Sequence, residues 1–275
     1  MTSDNSETTP GAPIEVAIAD GIATLALNRP KVLNALDSET VYAMRDALAG
    51  LRGKGEVRVL VLTGRGRGFC AGADLKDPIM ADADPATRWR TLGAYMDAGM
   101  NALIRDIHGF DRPTLAAVNG VAAGGGVGLA LAADIVIAAH SAYFAQVFAP
   151  QLGLIPDLGC TWHLPHLVGR ARALGLAMLG DRLPAATAAE WGLIWRAVAD
   201  DALEAETLAI AARLRDGAPR ALVSTRRMID HAYGASFPDQ LDHERDVQSV
   251  LSSSSDFREA VIAFNDKRKP VFRGQ

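Results

Sequence analysis

The sequence predicts an α/β fold in which strands alternate with helices over the first two thirds of the chain and helices alone complete it. Short apolar runs bounded by glycine-containing turns alternate with segments in which apolar residues recur at helical spacing. From about residue 165 the helical spacing continues without further strand patterns. Hydrophobic residues make up 49% of the 275 residues and charged residues 22%, which is typical of a globular protein with a buried core.

The first predicted element is a hairpin at residues 14–28, whose two alternating strands are joined by Asp20-Gly21, a dipeptide that favours a tight turn. A helix is predicted over 36–53, capped by either Asp37 or Ser38. The later strand patterns lie at 57–64, 113–120 and 133–140, a strand or loop lies at 142–147, and helical spacing covers 88–109, 199–216 and 237–270.

Charge and cysteine content exclude several classes of function. The net charge of −4 leaves no excess of positive charge to neutralise a nucleic-acid backbone, so nucleic-acid binding is not expected. The two cysteines, Cys70 and Cys160, do not make a disulfide framework, and no Cys/His spacing resembles a metal site. Residues 1–13 lack the pattern of a signal peptide and are expected to be a disordered tail. No apolar run is long enough to span a bilayer, so we expect a cytoplasmic protein without membrane contact.

Two predicted strands end in glycine-rich turns, within 59–77 and 118–140. Glycines 124–126 and Gly128 stand where an apolar helix begins, although a glycine in a helix interior costs about 0.5–1 kcal/mol relative to alanine. Neither a G-x-G-x-x-G pattern nor a P-loop is present, which argues against a nucleotide cofactor. Bare backbone instead allows one N–H group from each turn to converge on a carbonyl oxygen and stabilise negative charge there. The alternative, that these glycines serve only a tight turn and close helix packing, stays open at this point.

Four segments taken in order resemble the crotonase superfamily, the enoyl-CoA hydratase/isomerase fold. They are LNRPKVLNALD (27–37), GRGFCAGADLKD (66–77), AAVNGVAAGGGVGLALAADI (116–135) and GLIPDLGCTWHLPHLVG (153–169), and FNDKRKPVF (264–272) also fits. The resemblance implies a spiral core of stacked ββα units at 14–205 and a C-terminal helical trimerisation segment at 206–275. It implies a homotrimer or a hexamer built as a dimer of trimers. It also implies an acyl-CoA thioester substrate, with coenzyme A as part of the substrate and with no tightly bound cofactor or metal.

The resemblance also assigns roles to individual residues. It places two oxyanion-stabilising backbone N–H groups at Ala73 and Gly125, so that the bare helix start receives a thioester oxygen. It places contacts with coenzyme A at nine further residues, the last two often acting across a subunit boundary: Arg29, Lys31, Ala35, Ala71, Asp74, Leu75, Lys76, Phe264 and Lys267. For Asp74 a structural role is the alternative, in which it fixes its turn through hydrogen bonds to backbone.

The acid or base is expected to be Asp157. Hydratases of the superfamily use two glutamates, but the first position is Gly128 here and the segment 146–159 contains no glutamate. Some relatives, among them enoyl-CoA isomerases and a ring-opening isomerase of phenylacetyl-CoA breakdown, carry a single acidic group at the place of Asp157. Burial would raise its carboxyl pKa towards neutrality, and the expected apolar walls are Leu152, Leu154, Ile155 and Leu158. The alternative is that Asp157 caps a helix beginning near Cys160 or Thr161.

One carboxylate favours the movement of a double bond, because a single base takes a proton and returns it elsewhere. The sequence therefore predicts enoyl-CoA isomerisation through a thioester enolate. Hydration of a 2-enoyl-CoA is the alternative if a second carboxylate enters from the 77–85 loop, which carries Asp77, Asp82 and Asp84. A thioester hydrolase and a catalytically weak member that binds coenzyme A or RNA are further alternatives.

Two other features are expected to be structural, and the role of a third is left open. Cys70 has no histidine nearby in the sequence and is interpreted as a core residue instead of a nucleophile. His163 and His166 are interpreted as surface or packing residues, with a metal or catalytic role as the alternative. The apolar residues of 78–103 either form helix core or partly line the acyl pocket.

Overall fold

The computed structural model describes residues 5–7, 11–81 and 84–275. Its strands are β1 (Asn5–Glu7), β2 (Ile14–Ala19), β3 (Ile22–Leu27), β4 (Val59–Gly64), β5 (Gly68–Cys70), β6 (Thr114–Val118), β7 (Val121–Ala123), β8 (Ile135–Ala139), β9 (Tyr143–Ala145), β10 (Arg182–Pro184) and β11 (Arg196–Val198). Its helices are α1 (Ser38–Arg52), α2 (Pro78–Ala81), α3 (Pro85–Tyr95), α4 (Asn101–His108), α5 (Gly125–Leu131), α6 (Cys160–Leu179), α7 (Ala185–Glu190), α8 (Leu203–Arg215), α9 (Pro219–Ala232), α10 (Phe237–Leu251) and α11 (Ser255–Asn265).

The strands form two sheets that the chain visits in turn. A seven-stranded sheet has the order β1-β2-β3-β4-β6-β8-β11, and a four-stranded sheet has the order β10-β9-β7-β5. The pairs β4 and β5, β6 and β7, and β8 and β9 each place one strand in each sheet and are each followed by helix. Because β4, β6 and β8 are parallel, as are β5, β7 and β9, the chain advances as a spiral of ββα units. The predicted spiral core is confirmed.

The N-terminal hairpin is also confirmed. β2 and β3 pair in antiparallel register, and both residues of the Asp20-Gly21 turn have positive φ, at 51° and 77°. A tight hairpin turn of this kind requires positive φ, which explains the choice of this dipeptide. The outer edge of β2 pairs with β1, so three residues of the expected disordered tail form a strand there. The free edge of a strand offers unpaired N–H and C=O groups to any extended segment nearby.

Helix α1 begins as the capping pattern predicts. The Asp37 carboxylate accepts a hydrogen bond from the Thr40 N–H at 2.8 Å, which selects Asp37 over Ser38 as the cap. Predicted helix 88–109 corresponds to α3 and α4, which are joined by one wider turn at 96–100. The helical spacing in 237–270 resolves into α10 and α11.

Helix α8 crosses the domain boundary that the sequence analysis places between 205 and 206. Its buried residues, Leu203, Thr207, Ile210 and Ala211, pack it against strands of the large sheet. The helix therefore covers the core even though residues 206–215, most of its length, belong to the predicted C-terminal segment. In the described part of the chain, the helices are too short or too polar to cross a membrane.

Candidate active site

The parallel strands β5, β7 and β9 lie side by side in the small sheet, and each leads to one of the residues singled out in the sequence. β5 leads to Ala73, β7 leads to Gly125, and β9 leads through a further turn to Asp157. Neighbouring strands of a sheet lie about 4.8 Å apart, so the segments that leave the same edge begin close together. The topology thus gathers three distant parts of the sequence at one edge.

The backbone of the first glycine-rich turn leaves the amide of Ala73 free. Leu36 donates its N–H to the Gly72 carbonyl at 2.7 Å and accepts from the Asp74 N–H at 2.8 Å, which forms a parallel bridge opposite Ala73. In such a bridge the N–H of the middle residue points away from the partner strand. Within the described residues, the Ala73 N–H donates no hydrogen bond.

The second glycine-rich turn presents the amide of Gly125. Gly124 adopts φ 52° and ψ −126°, a conformation that residues with a side chain rarely adopt. Gly125 is the first residue of α5, and the first N–H groups of a helix have no acceptor inside the helix. As at Ala73, this N–H has no acceptor in the part of the chain that the structure describes.

The two turns approach each other closely. Gly72 has φ 93°, and a Cβ at this position would stand 3.2 Å from the Gly125 nitrogen and 2.8 Å from the Ala123 oxygen. Any side chain at residue 72 would therefore crowd the amide that the second turn exposes. The glycine just before Ala73 keeps the approach to Gly125 open.

Asp157 lies beside the same amide. A Cβ on Gly125 would stand 3.8 Å from the Asp157 Oδ1 and 2.7 Å from the Leu158 Cδ1. Leu158 has φ 49° and Gly159 has φ 81°, so two successive left-handed residues turn the chain sharply after the carboxylate. A left-handed leucine costs about 1–2 kcal/mol, and the packing of its buried side chain against Gly125 offsets this strain.

The carboxylate of Asp157 is half-buried, and this burial raises its pKa to about 6. The side chain does not cap α6, whose N-cap is Gly159 and has no side-chain hydrogen bond. One part of the expectation is wrong: only Leu158 is a buried wall, whereas Leu152, Leu154 and Ile155 are 38–79% exposed. Leu152 ends a short helical turn that closes at the left-handed Gly153, and Leu154 and Ile155 follow it on the surface.

A sequence model of the family described as "Enoyl-CoA hydratase/isomerase" matches residues 17–275 of the chain. The chain belongs to the enoyl-CoA hydratase/isomerase family.

Named relatives span nearly the whole chain. The 1,2-epoxyphenylacetyl-CoA isomerase of Escherichia coli K12 is 43% identical, with 94% of this chain and 97% of the relative covered. A Rhodobacter capsulatus protein named "Probable enoyl-CoA hydratase" is 42% identical, with 95% and 98% covered. Among solved structures, the enoyl-CoA hydratase of Bacillus anthracis is 30% identical and superposes with a TM-score of 0.87. The superposition covers 96% of this chain and 100% of that chain. An enoyl-CoA hydratase from Polaromonas sp. JS666 is 32% identical with a TM-score of 0.86, covering 94% and 99%.

Position 128, where hydratases of the family were expected to carry a glutamate, is closed in this chain. A Cβ on Gly128 would stand 2.3 Å from the Leu158 carbonyl oxygen and 2.8 Å from the Leu158 Cβ. The turn that carries Asp157 thus occupies the space that a side chain at 128 would need. The missing glutamate and the left-handed turn at Leu158 are two aspects of one packing arrangement.

The other carboxylates expected near the site are already engaged or not described. Asp77 is buried and accepts hydrogen bonds from Ser38 N–H, Ser38 Oγ and Ile79 N–H at 2.7–2.8 Å. Although burial acts to raise the pKa of Asp77, these hydrogen bonds lower it below its usual value. Asp84 is exposed and accepts backbone hydrogen bonds from Thr87 and Arg88 through its carbonyl. Asp82 lies outside the described residues.

Arg29 is held by carboxylates of the protein itself. Its Nη2 lies 2.7 Å from Asp37 Oδ2 and 3.0 Å from Asp74 Oδ2, and its Nη1 donates to the Ala35 carbonyl. Asp74 also accepts from the Lys76 N–H at 3.0 Å, which is the structural role considered for it. This group of one cation and two anions carries a net negative charge, so its visible effect is to hold the loop around Ala73.

The remaining residues expected to contact coenzyme A fall in two places. Lys31, Leu75 and Lys76 are exposed and Ala71 is half-buried, all on the segments that Arg29 holds together. Phe264 and Lys267 lie at the end of α11 and are exposed, Phe264 by 83%. Within the described residues, no hydrogen bond or ion pair joins this pair to the first group.

The surroundings of Cys70, His163 and His166 agree with a role in packing. Burial raises the pKa of the Cys70 thiol to about 12, so it stays protonated. His163 and His166 pack in an aromatic cluster with Trp162, and burial lowers the pKa of His163 to about 4. Across the described ranges, no group of three or more His, Cys, Asp or Glu side chains is placed to hold a metal.

Two cavities, of about 710 and 590 Å³, lie between the core and the C-terminal helices, and Asp157 lines neither of them. We therefore locate the site by its chemistry, where unpaired backbone amides and a carboxylate with a raised pKa lie close together.

Sequence reasoning also missed Asn34, which is fully buried and donates to the carbonyls of Arg65 and Gly68. It clamps the first glycine-rich turn, and an asparagine inside the resembling segment 27–37 was the available signal.

Proposed function

We propose that this chain is an enoyl-CoA isomerase that moves a double bond through a thioester enolate. The observation that carries the proposal is the half-buried Asp157 carboxylate, with its raised pKa, beside the unpaired Gly125 amide. A carboxylate with a pKa of about 6 both accepts and returns a proton near neutral pH. Backbone N–H groups aimed at a developing oxyanion lower its free energy by about 3–4 kcal/mol each.

The proposed reaction conserves all atoms. The Asp157 carboxylate takes a proton from C2 of a 3-enoyl-CoA, and the C–H electron pair moves into a dienolate. The negative charge on the thioester oxygen is shared by the N–H groups of Ala73 and Gly125. The protonated Asp157 then gives its proton to C4, which yields the 2-enoyl-CoA and restores the carboxylate.

Water addition is the weaker proposal for this chain. It calls for a second group that handles the water, and position 128 has no room for one. Asp77, a buried acid on the loop after Ala73, already accepts three hydrogen bonds. Both observations favour a reaction that needs one acid/base group.

A second candidate substrate comes from the relative of highest identity described above. The Escherichia coli protein named 1,2-epoxyphenylacetyl-CoA isomerase shares 43% of aligned residues over 94% of this chain. A proton acid/base beside an oxyanion site also suits isomerisation of an epoxide next to a thioester. This substrate therefore belongs in the first panel to be assayed.

We further propose that the active enzyme is a homotrimer or a dimer of trimers. Large apolar side chains are exposed on the C-terminal helices, among them Phe237, Phe257, Val261, Ile262 and Phe264. Exposed large apolar side chains that lie together on a surface are typical of protein interfaces, which supports this proposal. In that assembly Phe264 and Lys267 of one subunit contact the coenzyme A held near Arg29, Lys31, Ala35, Ala71, Asp74, Leu75 and Lys76 of another. Because acyl-CoA thioesters are used inside cells, we place the enzyme in the cytoplasm.

The test is a substrate panel assayed with the wild type, Asp157→Asn and the control Asp201→Asn. Asp201 is an exposed acid far along the chain from the site. We expect bond migration in a 3-enoyl-CoA or isomerisation of the epoxide with the wild type and Asp201→Asn, and no turnover with Asp157→Asn. Water addition as the main reaction, or full activity of Asp157→Asn, contradicts the proposal.

A further inference from the structure

The peptide between Gly124 and Gly125 is fixed from more than one direction. The N–H of Gly124 donates to the Ala145 carbonyl at 2.9 Å, and the carbonyl of Gly124 accepts from the Val127 N–H at 3.0 Å. The unusual backbone angles of Gly124 turn this peptide so that its own N–H, that of Gly125, faces the site. The orientation of one peptide plane therefore decides where this donor points.

A side chain also contacts this peptide. The thiol of Cys160 donates to the Gly124 carbonyl oxygen, with 3.9 Å between Sγ and O. Cys160 is completely buried and is the first residue of α6. Its own N–H donates to the Asp157 carbonyl at 2.9 Å. Cys160 thus joins the turn that carries the acid to the peptide that carries the amide.

A buried amide lies behind the thiol. Gln146 is 2% exposed, and neither its carboxamide nitrogen nor its oxygen has a well-formed hydrogen bond among the described residues. Its side chain lies close enough to the Cys160 thiol to act to lower the pKa of that thiol. A buried amide without a well-formed partner is unusual and calls for an explanation.

We propose that Cys160, supported by Gln146, is a positioning residue that orients and polarises the Gly124–Gly125 peptide, an inference that rests on the proposed oxyanion role of Gly125. In this arrangement the Gln146 carboxamide lies beside the sulfur, the thiol donates to the Gly124 carbonyl, and the Gly125 N–H donates to the thioester oxygen. Hydrogen bonds arranged head to tail strengthen one another in a low-dielectric interior. No covalent step involves the sulfur.

The thiol remains a donor over the working pH range. Burial raises the pKa of Cys160 to about 12, so the S–H proton stays in place at neutral pH. The competing explanation is simple packing, in which any small apolar side chain at 160 serves equally well. Cys70 separates the two, since it is also completely buried but donates no side-chain hydrogen bond in the described structure.

The experiment compares the purified full-length wild type with Cys160→Ala, Cys160→Ser, Gln146→Leu and the control Cys70→Ala. The probe is a conjugated cinnamoyl-CoA thioester, whose absorbance moves to longer wavelength as its carbonyl is polarised. We expect Cys160→Ala to lose most of the shift and about tenfold in kcat, with KM changed less than about twofold. Cys160→Ser, which keeps a donor, should recover part of both, and Gln146→Leu should lose less than Cys160→Ala.

Each result decides a different question. Equal losses in Cys160→Ala and Cys70→Ala, or an unchanged shift and kcat in Cys160→Ala, overturn the positioning role. If the wild type binds the probe without any shift, the oxyanion proposal itself fails and the effect of Cys160 is no longer at issue. Thermal unfolding of each variant identifies any loss that comes from a misfolded protein.

Discussion

Asp77 and Asp157 are both acids on loops next to the two exposed amides, and their surroundings differ in every respect that matters for reactivity. Asp77 is buried with three hydrogen bonds to Ser38 and Ile79, and its pKa lies below the usual value. Asp157 is half-buried without such partners, and its pKa rises to about 6. A carboxylate that accepts several hydrogen bonds from the protein holds structure, whereas one that is partly removed from water and lacks such bonds is available to exchange a proton.

The largest effect is expected from removal of Asp157, the acid that we propose to be catalytic. We expect Asp157→Asn to lower kcat about 10³-fold with little change in acyl-CoA binding, since general acid–base groups contribute about 10²–10⁴-fold. In the wild type, kcat/KM should rise with pH through an apparent pKa near 6, because the carboxylate must be ionised to take the proton. Steady-state kinetics between pH 4.5 and pH 8, flanking that pKa by about two units, test both statements. A flat profile would contradict the assignment.

A glutamate introduced at position 128, beside Asp157, should destabilise the protein without creating hydratase activity. Gly128→Glu places a Cβ where the Leu158 carbonyl oxygen would stand 2.3 Å away, so the Asp157 turn must move. We expect a loss of about 3–5 kcal/mol in the free energy of unfolding and no gain of hydratase activity. Chemical denaturation and a 2-enoyl-CoA assay measure the two effects. Gly93→Glu, at a helical glycine with open space around its Cβ position, is the control.

Removing the structural acid should weaken the fold and spare the chemistry. Asp77→Ala leaves the N–H groups of Ser38 and Ile79 without their acceptor, at a cost of about 1–3 kcal/mol. Because the pKa of Asp77 is lowered in the folded state, its charge stabilises the protein at neutral pH, and this contribution is lost as the pH falls below the usual carboxyl range. Unfolding curves at several pH values should show the largest difference near neutrality, and a kcat reduced more than about tenfold in folded protein would give Asp77 a role in the reaction.

The smallest expected effect is a gain in stability. The folded state of the wild type binds the Asp157 proton more tightly than the unfolded state, because the pKa is raised from 3.8 to about 6. Asp157 therefore destabilises the fold as the pH rises through that interval. Asp157→Asn should be more stable than the wild type by about 1–2 kcal/mol at pH above about 7, and by little near pH 4. Melting temperatures that differ equally at both pH values would count against the raised pKa.

The sequence predicted the spiral, the Asp20-Gly21 hairpin, a helix cap at either Asp37 or Ser38 and the adjacency of the two glycine-rich turns, because each leaves a local pattern or a resembling segment. It did not predict that Asp77 bonds Ser38, 39 positions away, or that Arg29 is paired with Asp37 and Asp74. Residues that come into contact only in the folded chain are not separated by a regular spacing in the sequence, so no sequence pattern predicts their pairing. Leu154 and Ile155 were expected as walls by their apolar character alone, and their exposure depends on the course of a surface turn.

The three parallel strands β5, β7 and β9 have a consequence for how such an enzyme changes over time. Each contributes one component at its tip, and the components are separated by long stretches of chain. The amides of Ala73 and Gly125 follow β5 and β7, whereas the acid stands on the segment after β9, at Asp157, and position 128 on α5 is a glycine. The sheet therefore allows the position of the acid to change while the two turns that carry the unpaired amides stay the same.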